Sequence, residues 1–479
     1  MHNVSLMQNV QNEARDAHPR ADVADRNRSR LTKPLTLAAM SLGYGVVQLD
    51  VTIVNTALNS IGGSLGGGVS ELQWVVSTYT IAFASLILTA GALGDRLGAK
   101  NIFMAGFAIF TAASLACALA PSSGILIASR AVQGTGAAIL VPNSLALLNH
   151  AYPSETERGR AVGMWAAGAS LALTAGPLVG GALIELAGWR SIFLVNLPIG
   201  LGGLWLTWRY ATDTPRTQHA LDLWGQTAAI GMLGVLAGAI IEGGRVGWTN
   251  AGVLSGFVLF VILGVLFVFQ ESRSRQPMLP LTLFRHRMFA LTALDGLLVN
   301  IAFYGLLFVF SLYFQQVNGW SSFATGLAFV PMMGAVLPVN LIAPRLSERF
   351  GAPAVIAAGA LIAAAGCLAL LGIGRGTSYW AIGAQLIAMG GGLGLLVPPL
   401  TSTLLGSVEK ARSGVAAGVL NSTRQTGSVL GVALFGSLLG PAHEFLFGAR
   451  ASLVISALLL IVAAAVIFAG RRTRQRRVA

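Results

Sequence analysis

The chain has 479 residues, of which 54% are hydrophobic and only 10% are charged, whereas a typical soluble domain is about 25% charged. This composition excludes a disordered chain and an ordinary soluble enzyme, and it fits a protein that is surrounded by lipid for most of its length. The net charge of +13 does not indicate nucleic-acid binding, because the basic residues lie in the two tails and in short gaps between apolar runs.

Apolar runs of about 20 residues recur along the chain and predict an all-α polytopic membrane protein with fourteen transmembrane helices. The predicted spans cover residues 34–58, 72–92, 101–120, 122–148, 159–186, 189–210, 223–242, 251–270, 288–316, 322–343, 353–372, 376–405, 413–440 and 450–470. They leave a polar tail at 1–33 and a basic tail at 471–479. The side that carries both tails holds 25 of the 31 Lys and Arg residues, and the opposite side holds four. Because cytoplasmic loops carry the excess of positive charge, both termini are expected in the cytoplasm.

Three short patterns occur twice, about 255 residues apart, and indicate an internal repeat. Residues 94–98, 134–142 and 159–163 recur as residues 347–351, 390–398 and 414–418. An offset of this size covers eight predicted spans. The pattern therefore predicts two six-helix bundles, 34–210 and 288–470, related by a parallel repeat, with two inserted helices within 211–287. Such a pair of bundles is typical of secondary transporters that hold their substrate between the halves.

Four charged residues lie well inside predicted spans, away from the span ends, where a charge costs roughly 2.5–3.5 kcal/mol on insertion scales. Asp50 is interpreted as a protonatable carboxylate or a contact for a cationic substrate, with a structural hydrogen bond as the alternative. Arg130 cannot lose its proton and needs a carboxylate or carbonyl partner, and proton coupling is favoured over a structural role. Asp295 and Arg424 either pair with each other or line the cavity separately, and Asp295 is a further candidate for proton coupling.

Other polar residues of the predicted spans are candidates for the wall of a substrate cavity. They are Asn55, Gln133, Asn143 and Gln425, together with Arg424. A P-loop and a Cys/His cluster are both missing from the sequence, so we expect neither ATP hydrolysis nor a metal. All six histidines lie in tails or loops. We therefore expect no cofactor, with the proton as coupling ion carried by carboxylates.

The glycine-rich turn at residues 91–98 contains Asp95 and Arg96 and lies on the side of the tails. The Asp95 carboxylate is expected to cap the next helix or to bind Arg158 or Arg160 in the following loop on that side. A contact of this kind predicts a gate, because its breakage releases one conformational state. The alternative is a plain turn with a solvated charge.

The fifth predicted span carries small residues and a proline that predict a hinge or packing element rather than a chemical site. They are Gly168, Gly176, Pro177, Gly180 and Gly181.

Four motifs carry a resemblance to a known family, and a fifth strengthens it: residues 49–58, 91–98, 130–134 and 176–181, and then residues 189–200. Over nearly all its length the sequence resembles the fourteen-helix drug:proton antiporter branch of the major facilitator superfamily. It departs from the branch at Asn59, where a proline is usual, and at Ala172, where glycine is frequent.

The resemblance implies a major facilitator fold and a proton-coupled exporter of amphipathic, hydrophobic or cationic drugs in the bacterial cytoplasmic membrane. The expected partners are a small-molecule substrate, protons and lipid, and the expected form is a monomer, with a periplasmic adaptor as an option. Two alternatives stay open: a dedicated exporter of one native metabolite or self-made antibiotic, and a membrane receptor that has a transporter fold but moves nothing.

Overall fold

The computed structural model describes residues 19–216, 222–274, 277–409, 413–440 and 444–478, and these ranges contain helices but no strand. We number the fourteen long helices in chain order. They are α1 (Pro19–Leu65), α2 (Val69–Leu97), α3 (Ala99–Ala118), α4 (Ser123–Ala151), α5 (Glu155–Ala187), α6 (Ser191–Tyr210), α7 (Leu223–Val246), α8 (Ala251–Arg273), α9 (Arg287–Leu312), α10 (Ser322–Phe350), α11 (Ala352–Ala369), α12 (Trp380–Leu405), α13 (Ser413–Leu438) and α14 (Phe445–Val478).

Thirteen of these helices are long and apolar enough to cross a membrane. The exception in the described ranges is α13, which has 26 residues but carries five consecutive polar residues at 421–425. It packs among the other helices, mainly against α9 and α2, so its polar residues are shielded by protein. The prediction of an all-α polytopic membrane protein is confirmed.

Where the structure describes them, the predicted tails continue the neighbouring helices. Residues 1–18 lie outside the described residues, whereas 19–33 continue α1, whose apolar part extends over Leu31–Leu65. The basic segment after residue 470 likewise continues α14. Both ends of the described chain leave from one side of the helices, which we call the tail side. The opposite side is called the far side.

The internal repeat is visible in the packing of the helices. In the first bundle, α1 packs against α5 and α6, α2 against α4, and α3 against α4 and α6. Each of these pairs recurs eight helices later in the second bundle: α9 with α13 and α14, α10 with α12, and α11 with α12 and α14. The first bundle is therefore α1–α6 and the second α9–α14, with α7 and α8 inserted between them in sequence.

The two bundles meet along two seams, α2 with α13 and α5 with α10. Helix α7 lies over the first seam, where Leu233 and Ala237 pack against Ile81 of α2 and Val429 of α13. Helix α8 packs mainly on α7, and its other faces are apolar and exposed. This exposure suits a helix that contacts lipid, because an apolar face needs no protein partner in a bilayer.

The α5–α10 seam is closed on the far side. A Cβ placed on Gly326 of α10 would lie 2.3 Å from the carbonyl oxygen of Pro177, and one on Gly181 would lie 2.5 Å from that of Ser322. Towards the tail side, a Cβ on Gly163 of α5 or Gly334 of α10 would meet nothing within 4 Å. The bundles thus touch backbone to backbone on the far side of this seam.

Candidate functional site

A buried ion pair lies inside the first bundle. Asp50 of α1 is 0% exposed and Arg130 of α4 is 1% exposed, and Nη1 of Arg130 lies 2.5 Å from Oδ2 of Asp50. The partner that Arg130 requires is therefore a carboxylate, and it is supplied by Asp50, the other buried charged residue among the described residues of that bundle. A buried pair of this kind is balanced in charge, but removing one member leaves a costly lone charge.

Two side-chain amides donate to the carboxylate, and the hydroxyl of Ser114 accepts a hydrogen bond from each of them. Gln133 donates from Nε2 to Oδ1 of Asp50 at 2.8 Å and to Oγ of Ser114 at 2.9 Å. Asn196 of α6 donates from Nδ2 to the same Oδ1 at 3.2 Å. Gln133 also accepts from Nη1 of Arg130 at 2.7 Å. We call these five residues, contributed by α1, α3, α4 and α6, the ion-pair cluster.

Helix α2 encloses the guanidinium. Arg130 donates from Nε to the carbonyl of Val75 at 3.2 Å, and its Cζ lies 4.2 Å from the centre of the Tyr79 ring. The close approach depends on Gly134, because a Cβ there would lie 2.2 Å from the carbonyl oxygen of Tyr79. A positive charge over an aromatic face is attracted by the ring quadrupole, most strongly where water is excluded.

The second bundle lacks this chemistry at the equivalent places. Helix α12 carries Leu386 and Met389 at the positions that match Arg130 and Gln133 in the repeat, and both are buried in the apolar core. The fold alone therefore does not require a charge at this depth. The charge in the first bundle needs another explanation, such as a proton-binding role.

A second group of side chains faces the space between the bundles. Arg424 of α13 is half-buried, and its guanidinium lies within electrostatic range of the hydroxyl groups of Tyr44 in α1 and Tyr304 in α9. Tyr44 stacks on Trp165 of α5 with ring centres 4.3 Å apart. The group thus draws on both bundles, and we call these four residues the central site.

Asp295 lies apart from Arg424. It is 0% exposed, and neither carboxylate oxygen has a hydrogen-bond partner among the described residues. No ion pair joins it to Arg424 in the described chain. The neighbouring Gly296 does approach Arg424, since a Cβ there would lie 4.0 Å from Cγ of the arginine. Of the two expected arrangements, pairing is absent in this state, and Asp295 is enclosed rather than exposed to the cavity.

The remaining candidates for the cavity wall lie in helix contacts. Asn143 is buried and donates to the carbonyl of Ala90 at 3.1 Å, which joins α4 to α2. Asn55 is buried, and its backbone carbonyl accepts a hydrogen bond from the hydroxyl of Ser311 in the second bundle. Gln425 is buried and Gln133 belongs to the ion-pair cluster. In this state Arg424 is the member of the candidate set that reaches open space.

The candidate gate lies at the tail side. Asp95 and Arg96 are exposed in the last turn of α2, and Arg158 and Arg160 are half-buried and exposed near the start of α5. All four therefore lie at one end of the first bundle, where α2 ends and α5 begins.

The cap of α3, one of the roles expected for Asp95, is supplied by another segment. The backbone N–H of Lys100 donates to Oδ1 of Asp213 at 3.0 Å, and that of Ala99 donates to Oγ1 of Thr214 at 3.1 Å. Both acceptors lie just after α6. An anion at a helix N-terminus satisfies free N–H groups and suits the helix dipole, so this contact fixes the start of the inserted segment to the first bundle.

The small residues of α5 serve close packing in two directions. A Cβ on Gly176 would lie 1.9 Å from Oγ1 of Thr52, and one on Gly180 would lie 2.6 Å from Ile53, both in α1. Gly181 faces α10, as described for the far-side seam. Gly168 makes only an ordinary contact, with a Cβ position 3.8 Å from Ser41.

Pro177 leaves one carbonyl of α5 without its helical donor, because proline has no N–H and its partner would be four residues earlier, at Leu173. Thr52 of α1 donates its hydroxyl to that carbonyl at 3.1 Å. The proline break is thus repaired by the neighbouring helix. A helix with an interrupted ladder at this point can bend there, which is the property expected of a hinge.

Sequence reasoning missed Ser114, Asn196, Tyr79 and Asp213. Asn196 lies in the stretch 189–200 that strengthens the resemblance, so its position in a motif was the available signal. The others are single residues in apolar or loop segments, and only the packing of the helices shows which carboxylate, guanidinium or N–H group they contact.

Comparison with known proteins places this geometry in a wider context. The profile of the Major Facilitator Superfamily matches residues 40–432. The methylenomycin A resistance protein of Streptomyces coelicolor is 37% identical over 90% of this chain and 91% of its own length. The multidrug resistance protein Stp of Mycobacterium tuberculosis is 38% identical over 85% of this chain and 76% of its own length.

Solved structures agree on the fold. A POT family transporter in complex with a thioalcohol-conjugated peptide superimposes with a TM-score of 0.69, covering 91% of this chain and 96% of its own. The sequences are only 15% identical, so the likeness concerns the arrangement of helices and not the substrate.

Proposed function

Because the chain belongs to the major facilitator superfamily, we propose that it exports drugs or antibiotics across the bacterial cytoplasmic membrane in exchange for protons. The observation that carries the proposal is the buried pair of Asp50 and Arg130, enclosed in the first bundle only. It is supported by relatives that are named for resistance to methylenomycin A and to multiple drugs. One proton crossing 100 mV releases about 2.3 kcal/mol, enough for roughly a fiftyfold gradient of an uncharged substrate.

The tail side faces the cytoplasm in this proposal, because it carries the excess of Lys and Arg. The far-side contacts between α5 and α10 then close this seam at the periplasmic face. One chain contains both bundles, so a monomer suffices for transport. The exposed Asp95, Arg96 and Arg160 and the half-buried Arg158 act as the cytoplasmic gate that closes in the opposite state.

Proton uptake acts on Asp50. A proton on its carboxylate removes the charge that balances Arg130, and the guanidinium must then find another partner or move. The carbonyl of Val75 and the ring of Tyr79, both on α2, are its nearest remaining contacts. Because α2 forms a seam with the second bundle, a shift of Arg130 changes its contacts with a helix of the interface that has to open. Asp295, buried without a partner, is the second candidate to carry a proton.

The test uses inside-out membrane vesicles with an acidified interior and a panel of lipophilic cations, neutral antibiotics and acidic antibiotics. We expect added drug to release protons from vesicles with the wild-type protein and not from those with Asp50→Asn. Glu242→Gln is the matched control, because it makes the same chemical change at a surface pair with Arg245. Proton release that persists in Asp50→Asn refutes the assignment of coupling to Asp50.

The panel also separates a broad exporter from a dedicated one. Release by many unrelated drugs indicates a multidrug exporter, whereas release by a single compound indicates an exporter of one antibiotic. Release by none of them, with the protein intact in the membrane, contradicts the export proposal and favours a receptor.

A further inference from the structure

The charge that faces the space between the bundles is positive. Four charged side chains lie deep within the spanning helices that the structure describes, and Asp50 and Arg130 neutralise each other inside the first bundle. Asp295 is 0% exposed and does not reach the cavity. Arg424 remains, half-buried, with no ion-pair or hydrogen-bond partner among the described residues.

An arginine without a partner at this depth is unusual, because a guanidinium stays charged under all physiological conditions. Arg424 lies eleven residues into α13, or about 17 Å along the helix at 1.5 Å per residue. Its five N–H groups are therefore far from the tail-side surface. The N–H groups of such a guanidinium can bind an anion that is not part of the protein.

The surroundings of Arg424 suit the rest of such a ligand. The hydroxyl groups of Tyr44 and Tyr304 lie in its electrostatic range and add hydrogen-bond donors. The half-buried ring of Tyr44 stacks on the buried ring of Trp165, and the half-buried ring of Phe303 packs on Tyr304 with ring centres 4.9 Å apart. Tyr44 thus offers an aromatic surface beside Arg424. The central site thus combines one fixed positive charge with aromatic faces.

We propose that the central site selects amphipathic drugs that carry a carboxylate or a similar anionic group, which Arg424 binds while the apolar body lies against Tyr44. The proposal rests on the export function proposed above and narrows its substrate class. A cationic drug would meet a positive charge there that no carboxylate among the described residues pairs with. A carboxylate, in contrast, matches the planar fork of the guanidinium.

The test compares three fluorescent probes that share the dansyl group and carry different charges: N-dansylglycine, its uncharged methyl ester, and the cationic dansylethylenediamine. Their dissociation constants are measured by fluorescence titration of the purified full-length protein. We expect the acid to bind about 10- to 100-fold more tightly than the ester, the range for a hydrogen bond to a charged group, and the amine to bind most weakly.

Variants assign the preference to Arg424. Arg424→Gln should bind the acid no more tightly than the ester, whereas Arg424→Lys should keep part of the preference as a point charge. Arg375→Gln removes an exposed charge from the loop before α12 and should leave all three constants unchanged. The ratio of acid to ester is taken within one preparation, so partial misfolding of a variant does not alter it.

An acid-to-ester ratio that is unchanged in Arg424→Gln, or no binding of the acid by the wild type, overturns the proposal. Tighter binding of the amine than of the acid overturns it too. Proton-driven transport in proteoliposomes separates the two proposals. Binding of the acid through Arg424 without such transport supports the anionic ligand class and refutes export. Proton-driven transport of the amine that is independent of Arg424 supports export and refutes the anionic ligand class.

Discussion

Replacement of Asp50 by Asn leaves Arg130 buried without an ionised partner. Removing one member of a buried pair costs about 3–5 kcal/mol of folding free energy. The cost should fall at the lower end of that range, since Arg130 keeps its bonds to the carbonyl of Val75 and to Gln133. Arg130→Met should cost a similar amount, because the carboxylate then keeps only neutral donors. We expect the double variant Asp50→Asn/Arg130→Met to be more stable than either single variant.

Denaturant titration of the purified variants in mixed micelles measures these differences, and transport in vesicles measures coupling. The double variant should still exchange labelled for unlabelled drug when no gradient is present, because the central site is intact. It should not accumulate drug when a proton gradient is imposed. The reasoning is refuted if the double variant regains proton-driven accumulation, or if Arg130→Met is as stable as the wild type.

Three further predictions concern the seam, the hinge and Asp295. Gly326→Ala places a Cβ 2.3 Å from the carbonyl oxygen of Pro177 and should destabilise the far-side contact by about 1–3 kcal/mol. Cysteines introduced on the far side should then react faster with a thiol label. Gly334→Ala, whose Cβ meets nothing within 4 Å, should not change the labelling rate. Thr52→Val removes the donor to the carbonyl that Pro177 leaves free and should lower the free energy of unfolding by about 1 kcal/mol, with Thr52→Ser close to the wild type in the same titration. Asp295→Asn should change the free energy of unfolding by less than about 1 kcal/mol, because neither carboxylate oxygen has a hydrogen-bond partner to lose among the described residues. If Asp295 carries a proton, the pH dependence of export flattens in this variant. An unchanged pH profile removes Asp295 from the coupling scheme.

Much of the fold could be predicted from the sequence, because lipid imposes a simple rule on segment length and composition. The repeat was readable because matching turns kept their glycines and charges at one offset. Helix α13 shows the limit of the rule. Its polar residues at 421–425 lower its apolar character, and it is its packing against α9 and α2 that places it among the spans.

The ion pair could be predicted in part, since a buried arginine requires an acceptor and Asp50 was the other charged residue well inside a predicted span of the first bundle. The identity of the remaining partners could not. Asn196 reaches Asp50, and Ser114 accepts from Asn196, only because α3 and α6 pack beside α1, and distances between helices are not encoded in a periodic pattern. The same holds for Asp213, whose cap on α3 joins two segments more than 100 residues apart.

The composition of the ion-pair cluster has a consequence for the biogenesis of the protein. Every member, from Asp50 to Asn196, belongs to the first six helices. A ribosome adds about 5–20 residues per second, so α7 to α14 emerge over many seconds after α6. During that interval the partners that the structure shows for the two charges are all present, and none of them belongs to the second bundle. We therefore expect the first half of the chain to fold in the bilayer before the second half is assembled against it.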